Sequence, residues 1–176
     1  MGMKKILVVV DMQKDFVDGA LGTAEAVAIV PAVCEKIRAF DGTIFVTYDT
    51  HFDNYMQTAE GKKLPVPHCV KGTAGWQLDR QVAAALHGRA YTPVEKITFG
   101  SVELPGLVEA AAGGEAFSVE LIGLCTDICV VSNALLLKAN FPEADIAVDA
   151  ACCAGVTPET HQAALSTMRC CQIDIR

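Results

Sequence analysis

Apolar positions along the chain alternate between two rhythms. Ile6-Leu7-Val8-Val9-Val10 is an unbroken run closed by Asp11, the pattern of a parallel strand buried on both faces. From Ala24 to Phe40, apolar side chains recur at helical spacing: Val27, Val30, Val33, Ile37 and Phe40. Thr43 to Tyr48 reads as a second strand, closed by Asp49. The stretch from His51 to Gly75 is polar, contains Leu64-Pro65-Val66-Pro67 and has no clear period, so it is expected as a long loop. Loops of that length inside a compact domain usually carry function. Trp76 to His87 reads as a helix, and Ala90 to Val94 as a weak strand ending at Glu95-Lys96. Leu104 to Ala112 is helical, Phe117 to Leu124 a strand, Asp127 to Asn140 a helix and Ala144 to Val148 a strand. Thr157 suits an N-cap and Pro158 the first position of a helix through Met168. Cys170 to Ile175 is expected as a sixth strand.

Strands and helices in alternation predict an α/β fold: a six-stranded, mostly parallel sheet with right-handed crossovers and helices on both faces, in a single domain over residues 1–176. Composition narrows the function. At 52% apolar and 20% charged, the chain is not of the disordered class. Asp and Glu number 21 against 14 Lys and Arg, a net charge of −7. Such a surface is a poor partner for nucleic acid, whose binding depends on neutralising phosphates. The run Ile6–Val10 falls far short of the roughly 20 residues of a membrane span. Lys4 and Lys5 precede too short an apolar run for a leader peptide. No C-x-x-C occurs among the eight cysteines, so a reducing cytoplasm is expected, with most thiols packed as small apolar groups. The adjacent pairs Cys152-Cys153 and Cys170-Cys171 are expected on strand ends, each split between the two faces of the sheet. The apolar surplus predicts a homo-oligomer.

In an open parallel sheet, ligands bind beyond the carboxyl ends of the strands. Asp11 ends the first strand, Asp49-Thr50-His51 the second and Lys96 the third. The fourth runs through Gly123 into Cys125-Thr126-Asp127-Ile128-Cys129 and a helix. Cys129 falls in the first turn of that helix, near Lys96, where a thiol pKa is depressed and the group nucleophilic; the alternative on spacing alone is one more buried apolar cysteine. Asp11, an acid directly after an apolar strand, needs a partner and could carry the thiol proton. Asp49 and His51 lie two residues apart and can point the same way, while His68 sits on the long loop. Two imidazoles and a carboxylate suit a first-row divalent ion with open positions. Cys69 is expected to pack, and His87 and His161 to be structural or solvated.

Taken together, these segments resemble a known family. Asp11-Met12-Gln13-Lys14-Asp15-Phe16, then Lys96, then Gly123-x-x-Thr126-Asp127-x-Cys129-Val130 are similar to the three signature segments of the isochorismatase-like cysteine hydrolases. Asp49-x-His51 and His68-Cys69-Val70-Lys71-Gly72-Thr73-x-Gly75 resemble the metal and loop motifs of the nicotinamidase and pyrazinamidase branch. The resemblance runs in order from residue 6 to about 168. It implies a Rossmann-like α/β/α sandwich and a triad of Cys129 as nucleophile, Asp11 as proton carrier and Lys96 as the cation between them. It also implies a cis peptide between Leu124 and Cys125, with the Cys125 and Cys129 N–H groups as oxyanion hole. Asp49, His51 and His68 would hold zinc, iron or manganese, zinc foremost. The implied substrate is a small amide such as nicotinamide, hydrolysed through a thioester. Phe16 matches an aromatic wall of the substrate pocket, whereas Pro65 stands where nicotinamidases commonly carry a stacking tryptophan, and Trp76 has no assigned place. Hydrolysis of an N-carbamoyl or ureido amide is an alternative with the same triad, and a non-catalytic zinc-binding protein is another.

Overall fold

The computed structural model describes residues 3–176, and its core is a parallel sheet of six strands in the order β3-β2-β1-β4-β5-β6. The strands are β1 (Lys4–Val10), β2 (Thr43–Asp49), β3 (Thr92–Lys96), β4 (Phe117–Leu124), β5 (Asp145–Ala154) and β6 (Asp174–Ile175). The expected α/β architecture is what the chain adopts. Strand order reverses at β1, so β1 and β4 flank the switch point where an open sheet leaves a crevice.

The apolar run of β1 explains the two layers. Leu7 and Val9 face a core with helices α1 (Lys14–Val17), α2 (Ala24–Ala39) and α4 (Arg80–Leu86). Ile6, Val8 and Val10 face the other, with α5 (Leu104–Ala112), α6 (Val131–Asn140) and α7 (Pro158–Cys170). Each of these side chains is at most 1% exposed, a burial of about 1.5–3 kcal/mol apiece. The buried stripe of α2 is Ala26, Val30, Val33, Cys34 and Ile37, while Val27 turns to solvent. Cys152 and Cys153 divide between the two cores as the strand period requires.

Several boundaries differ from the sequence reading, each for a local reason. The helix expected from Trp76 starts only at Arg80. Residues 75–79 spend their backbone groups on the β1–α1 connection: Lys14 N donates to Gln77 O (2.8 Å), Asp15 N to Gly75 O (3.1 Å) and Asp79 N to Met12 O (2.9 Å). Asp79 then caps α4 through Oδ1, accepting from Gln81 N and Val82 N. Strand β5 continues six residues past Val148, and Lys36 pairs with Asp149 within that extension at 2.7 Å. The C-terminal strand shrinks to Asp174–Ile175. Cys170 closes α7 and Cys171 caps it, so both thiols are exposed and neither lies on a strand. The long loop holds a 3-10 turn (Tyr55–Gln57) and helix α3 (Ala59–Lys63), capped by Thr58 Oγ1 accepting from Gly61 N at 3.0 Å. The helix expected from Asp127 begins as a π turn (Thr126–Val130) before α6 takes over. Thr157 caps α7 with a reciprocal bond to Thr160.

Candidate active site

Asp11, the first residue past β1, adopts a left-handed backbone (φ +48°), which Asp tolerates better than most residues. Its Oδ1 accepts from Thr47 Oγ1 at 2.6 Å. Its Oδ2 lies 2.7 Å from Nζ of Lys96, the last residue of β3. Lys96 is the register partner of Asp49 across β2–β3, and its Nζ also reaches Asp49 Oδ1 at 3.2 Å and Cys129 Sγ at 3.5 Å. Cys129 sits in the π turn after β4. Gly123 allows that approach: with φ +116°, an added Cβ would overlap the Val10 carbonyl of β1. The Leu124–Cys125 peptide is cis. All four polar groups are nearly closed to water, at 0% (Asp11) and 4% (Asp49, Lys96 and Cys129) exposure.

Burial dominates the electrostatics. It raises the Asp11 carboxyl above the usual aspartate value even though Lys96 pulls the other way. It also pushes the Cys129 thiol well up; the Asp11 and Asp49 carboxylates add to this and Lys96 opposes it. The depressed thiol expected from the helix N-terminus is therefore not what the fold produces: a dry site with two carboxylates outweighs one cation and a dipole. Burial works against the Lys96 ammonium, but Asp11, Cys129 and Asp49 together hold its pKa above that of an ordinary lysine. Asp49 is desolvated too, yet His51, His68 and Lys96 keep its carboxyl well below the usual range. The Cys125 thiol, buried beside acidic groups, is pushed up to about 12.

Beyond Asp49 lies a second cluster. One ligand atom each from Asp49, His51 and His68 falls within 4.8 Å of the others. His51 Nε2 is 3.0 Å and His68 Nε2 3.6 Å from Asp49 Oδ2. Nδ1 of His68 is 2.8 Å from the Val66 carbonyl and must donate to it, which leaves the Nε2 lone pair facing the cluster. His51 Nε2 is buried without a hydrogen-bond partner. An orphaned imidazole nitrogen beside a second one and an ionised carboxylate fits a divalent cation. Glu60 of α3 completes the ring, with Oε1 3.7 Å from both Nε2 atoms. The sequence reading missed Glu60, because the surrounding loop showed no period; the only local signal is the short Thr58-capped turn that carries it.

The loop folds back over the site as ligation by His68 requires. His51 N donates to Cys69 O and Lys71 N to His51 O, both at 2.9 Å. Asp15 Oδ2 accepts from Cys69 N at 2.8 Å, next to His68, and a Cβ on Gly75 would collide with the same carboxylate. Gln13 grips Asp49 from both sides: Oε1 accepts from its N–H at 2.8 Å and Nε2 donates to its carbonyl at 2.9 Å. Gln13 and Asp15 lie within a quoted motif but had no assigned task. Asn133 was also missed; it donates to Cys129 O at 2.8 Å and accepts from Ser101 N at 2.9 Å. Cys69 is fully buried.

A cavity of about 690 Å³ opens over these groups, with Phe16, Cys125 and Cys129 in its wall. Phe16 meets His68 edge-on at 5.4 Å. Pro65 is exposed and outside the cavity; its neighbour Leu64 lines the wall instead. Trp76 packs on Tyr48 and donates from Nε1 to Oγ1 of Thr50 at 3.0 Å, so it stands behind a cavity-lining residue and is not itself part of the wall. His161, expected to be structural or solvated, lies 2.8 Å from Thr126 Oγ1 through Nδ1. The arrangement as a whole joins a thiol and a carboxylate through one cation, beside three side chains whose donor atoms fit a divalent ion.

The isochorismatase domain family matches residues 5–175. A nicotinamidase/pyrazinamidase of Mycobacterium tuberculosis (strain H37Rv) is 27% identical over 186 residues, covering 97% of each chain. A solved nicotinamidase/pyrazinamidase from Bacillus subtilis superposes with a TM-score of 0.85 at 24% identity, over 98% of this chain and 99% of that one. A pyrazinamidase of Pyrococcus horikoshii, solved in complex with zinc, gives a TM-score of 0.80 at 26% identity, over 98% of both chains.

Proposed function

The chain belongs to the isochorismatase family, and from that premise we propose that it is a metal-assisted cysteine amidohydrolase that converts nicotinamide to nicotinic acid and ammonia. The observation that carries the reading is Lys96 Nζ, 2.7 Å from Asp11 and 3.5 Å from Cys129 Sγ, in a site closed to water. The relative from Mycobacterium tuberculosis suggests the substrate class. The cluster beside the triad favours a ring with a metal-binding nitrogen over an N-carbamoyl amide, which would leave Asp49, His51 and His68 without a task.

Burial raises the Cys129 thiol, so attack and deprotonation go together. Asp11 takes the proton as Sγ bonds to the amide carbon, and the oxyanion rests on the Cys125 and Cys129 N–H groups. The C–N bond then breaks, and Asp11 returns the proton to the departing nitrogen as ammonia. A thioester remains on Cys129. Water attacks it while Asp11 accepts a proton; the C–S bond breaks, the acid leaves and the thiol is reprotonated from Asp11. Lys96 holds Asp11 in place and offsets negative charge throughout. Asp49, His51 and His68, with Glu60 in reach, would hold zinc, iron or manganese, whose Lewis acidity would anchor the ring nitrogen. Phe16 would pack on the ring.

Ammonia release from nicotinamide tests the reading. Turnover is expected in the wild type, and a loss of at least about a hundredfold in Cys129→Ala, since a covalent step has no substitute there. Activity on N-carbamoyl amides alone, or a Cys129→Ala variant close to wild type, would overturn it.

A further inference from the structure

The cavity is larger than a one-ring amide needs. It encloses about 690 Å³, within the roughly 300–1,000 Å³ that usually accommodate drug-sized ligands. Its outer wall mixes polar side chains, Asn54, Lys63 and Thr98, with several large apolar ones. Asp49, His51, His68 and Cys129 are buried at the floor, at 2–7% exposure. The outer wall carries Phe52, Leu64, Ile97 and Phe99, which stand 51%, 38%, 70% and 46% exposed. Four large apolar side chains exposed around one opening mark it as an interaction site.

The wall is held in place. Tyr55 Oη donates to the Leu64 carbonyl at 2.9 Å. Asn133 fixes the segment bearing Phe99, donating to Phe99 O at 3.3 Å and accepting from Ser101 N at 2.9 Å. Chemistry sets the direction of a bound substrate. With its amide carbon at Cys129 Sγ and its ring nitrogen toward Asp49, His51 and His68, a pyridine-3-carboxamide turns its 5-position away from both. A group at that position leaves the polar floor and meets the apolar wall.

Resting on the amidohydrolase reading above, we propose that the preferred substrates are aromatic carboxamides bearing an apolar substituent on the ring edge remote from the amide. Phe52, Leu64, Ile97 and Phe99 are then the specificity-determining residues. The substituent contacts the wall equally before and during reaction, so the preference falls on KM and leaves kcat nearly unchanged.

The test compares nicotinamide with 5-propylnicotinamide on the same preparation, metal-loaded. A methylene in an apolar pocket is worth about 10–200-fold, so kcat/KM for the propyl amide should exceed that for nicotinamide at least about tenfold, through KM. In Phe52→Ser and Phe99→Ser the ratio of the two kcat/KM values should fall toward one; being internal to each variant, it is insensitive to partial loss of folded protein. Nicotinamide turnover with no gain for the propyl amide overturns this inference and leaves the amidohydrolase standing. A propyl amide excluded because a second copy covers the opening gives a ratio below one and overturns it too. A ratio unchanged in both variants removes the assigned role of the wall. Failure on both amides overturns the amidohydrolase reading and this inference with it.

Discussion

Asp11 carries the most consequential electrostatics of the site. Burial raises its carboxyl, so the proton-accepting form is lost at a higher pH than an ordinary aspartate would allow. The sign follows directly: as pH falls through the raised value, Asp11 becomes protonated and can no longer take the Cys129 proton. The acid limb of kcat/KM should therefore lie above pH ~4, the reference for aspartate, and a profile flat down to that pH would contradict the role. The positions of Asp11 and Lys96 at strand ends and of Cys129 just after one were legible in the sequence, and the family resemblance suggested their roles. The sign of the thiol shift was not legible. It depends on how many carboxylates the folded site packs around Sγ, and Asp49 reaches that environment only through the β2–β3 register. Glu60 was invisible for a similar reason: its contact with His51 and His68 spans a turn with no sequence period.

Among the elements, the segment from His51 to Gly75 depends on neighbours more than on itself. Asp15 holds it at Cys69, one residue from His68, and Gly75 leaves room for that carboxylate. Asp15→Ala removes the acceptor and frees His68 to wander. Groups that orient a ligand typically account for about 10–100-fold in metal affinity. Zinc affinity measured by competition with a chromophoric chelator should fall within that range, while alkylation of Cys129 keeps its wild-type rate. Unchanged zinc affinity would show that the loop holds His68 without Asp15. Sequence periodicity located the long elements α2, α5, β4 and α7 well, because each buries a regular face. It extended α4 back to Trp76 because nothing local reveals that residues 75–79 bond to the β1–α1 connection. It ended β5 at Val148, before Asp149, whose partner Lys36 comes from a distant helix.

For the whole molecule, sheet order places the four site-bearing strand ends together. β1, β2, β3 and β4 are neighbours in the sheet, so Asp11, Asp49, Lys96 and Cys129 share one rim although 118 positions separate the first from the last. The alternation of strand and helix foretold the layers, and the residues at strand ends foretold the rim. The two cores are built of apolar side chains, and Asp49, His51 and His68 lie at the rim, at or beyond the end of β2. A bound ion should therefore stabilise the protein by mass action alone: zinc at a hundred times its Kd adds about 2.7 kcal/mol. Thermal unfolding should shift upward with zinc and return on chelation, with the far-ultraviolet circular dichroism of the folded state unchanged. A chelated protein that is already unfolded, or an unfolding temperature indifferent to zinc, would contradict that picture. Among the described residues no helix is long and apolar enough to cross a membrane.

The central claim is that Cys129 becomes acylated by the substrate. Acid quenching within a few turnovers on nicotinamide, followed by mass spectrometry of the intact chain and its peptides, reads this directly. The account predicts a nicotinoyl adduct on the peptide containing Cys129, labile to hydroxylamine as a thioester is, and absent from Cys129→Ala. Rapid turnover with no adduct at any quench time, or an adduct on Cys125 or another thiol, would contradict it.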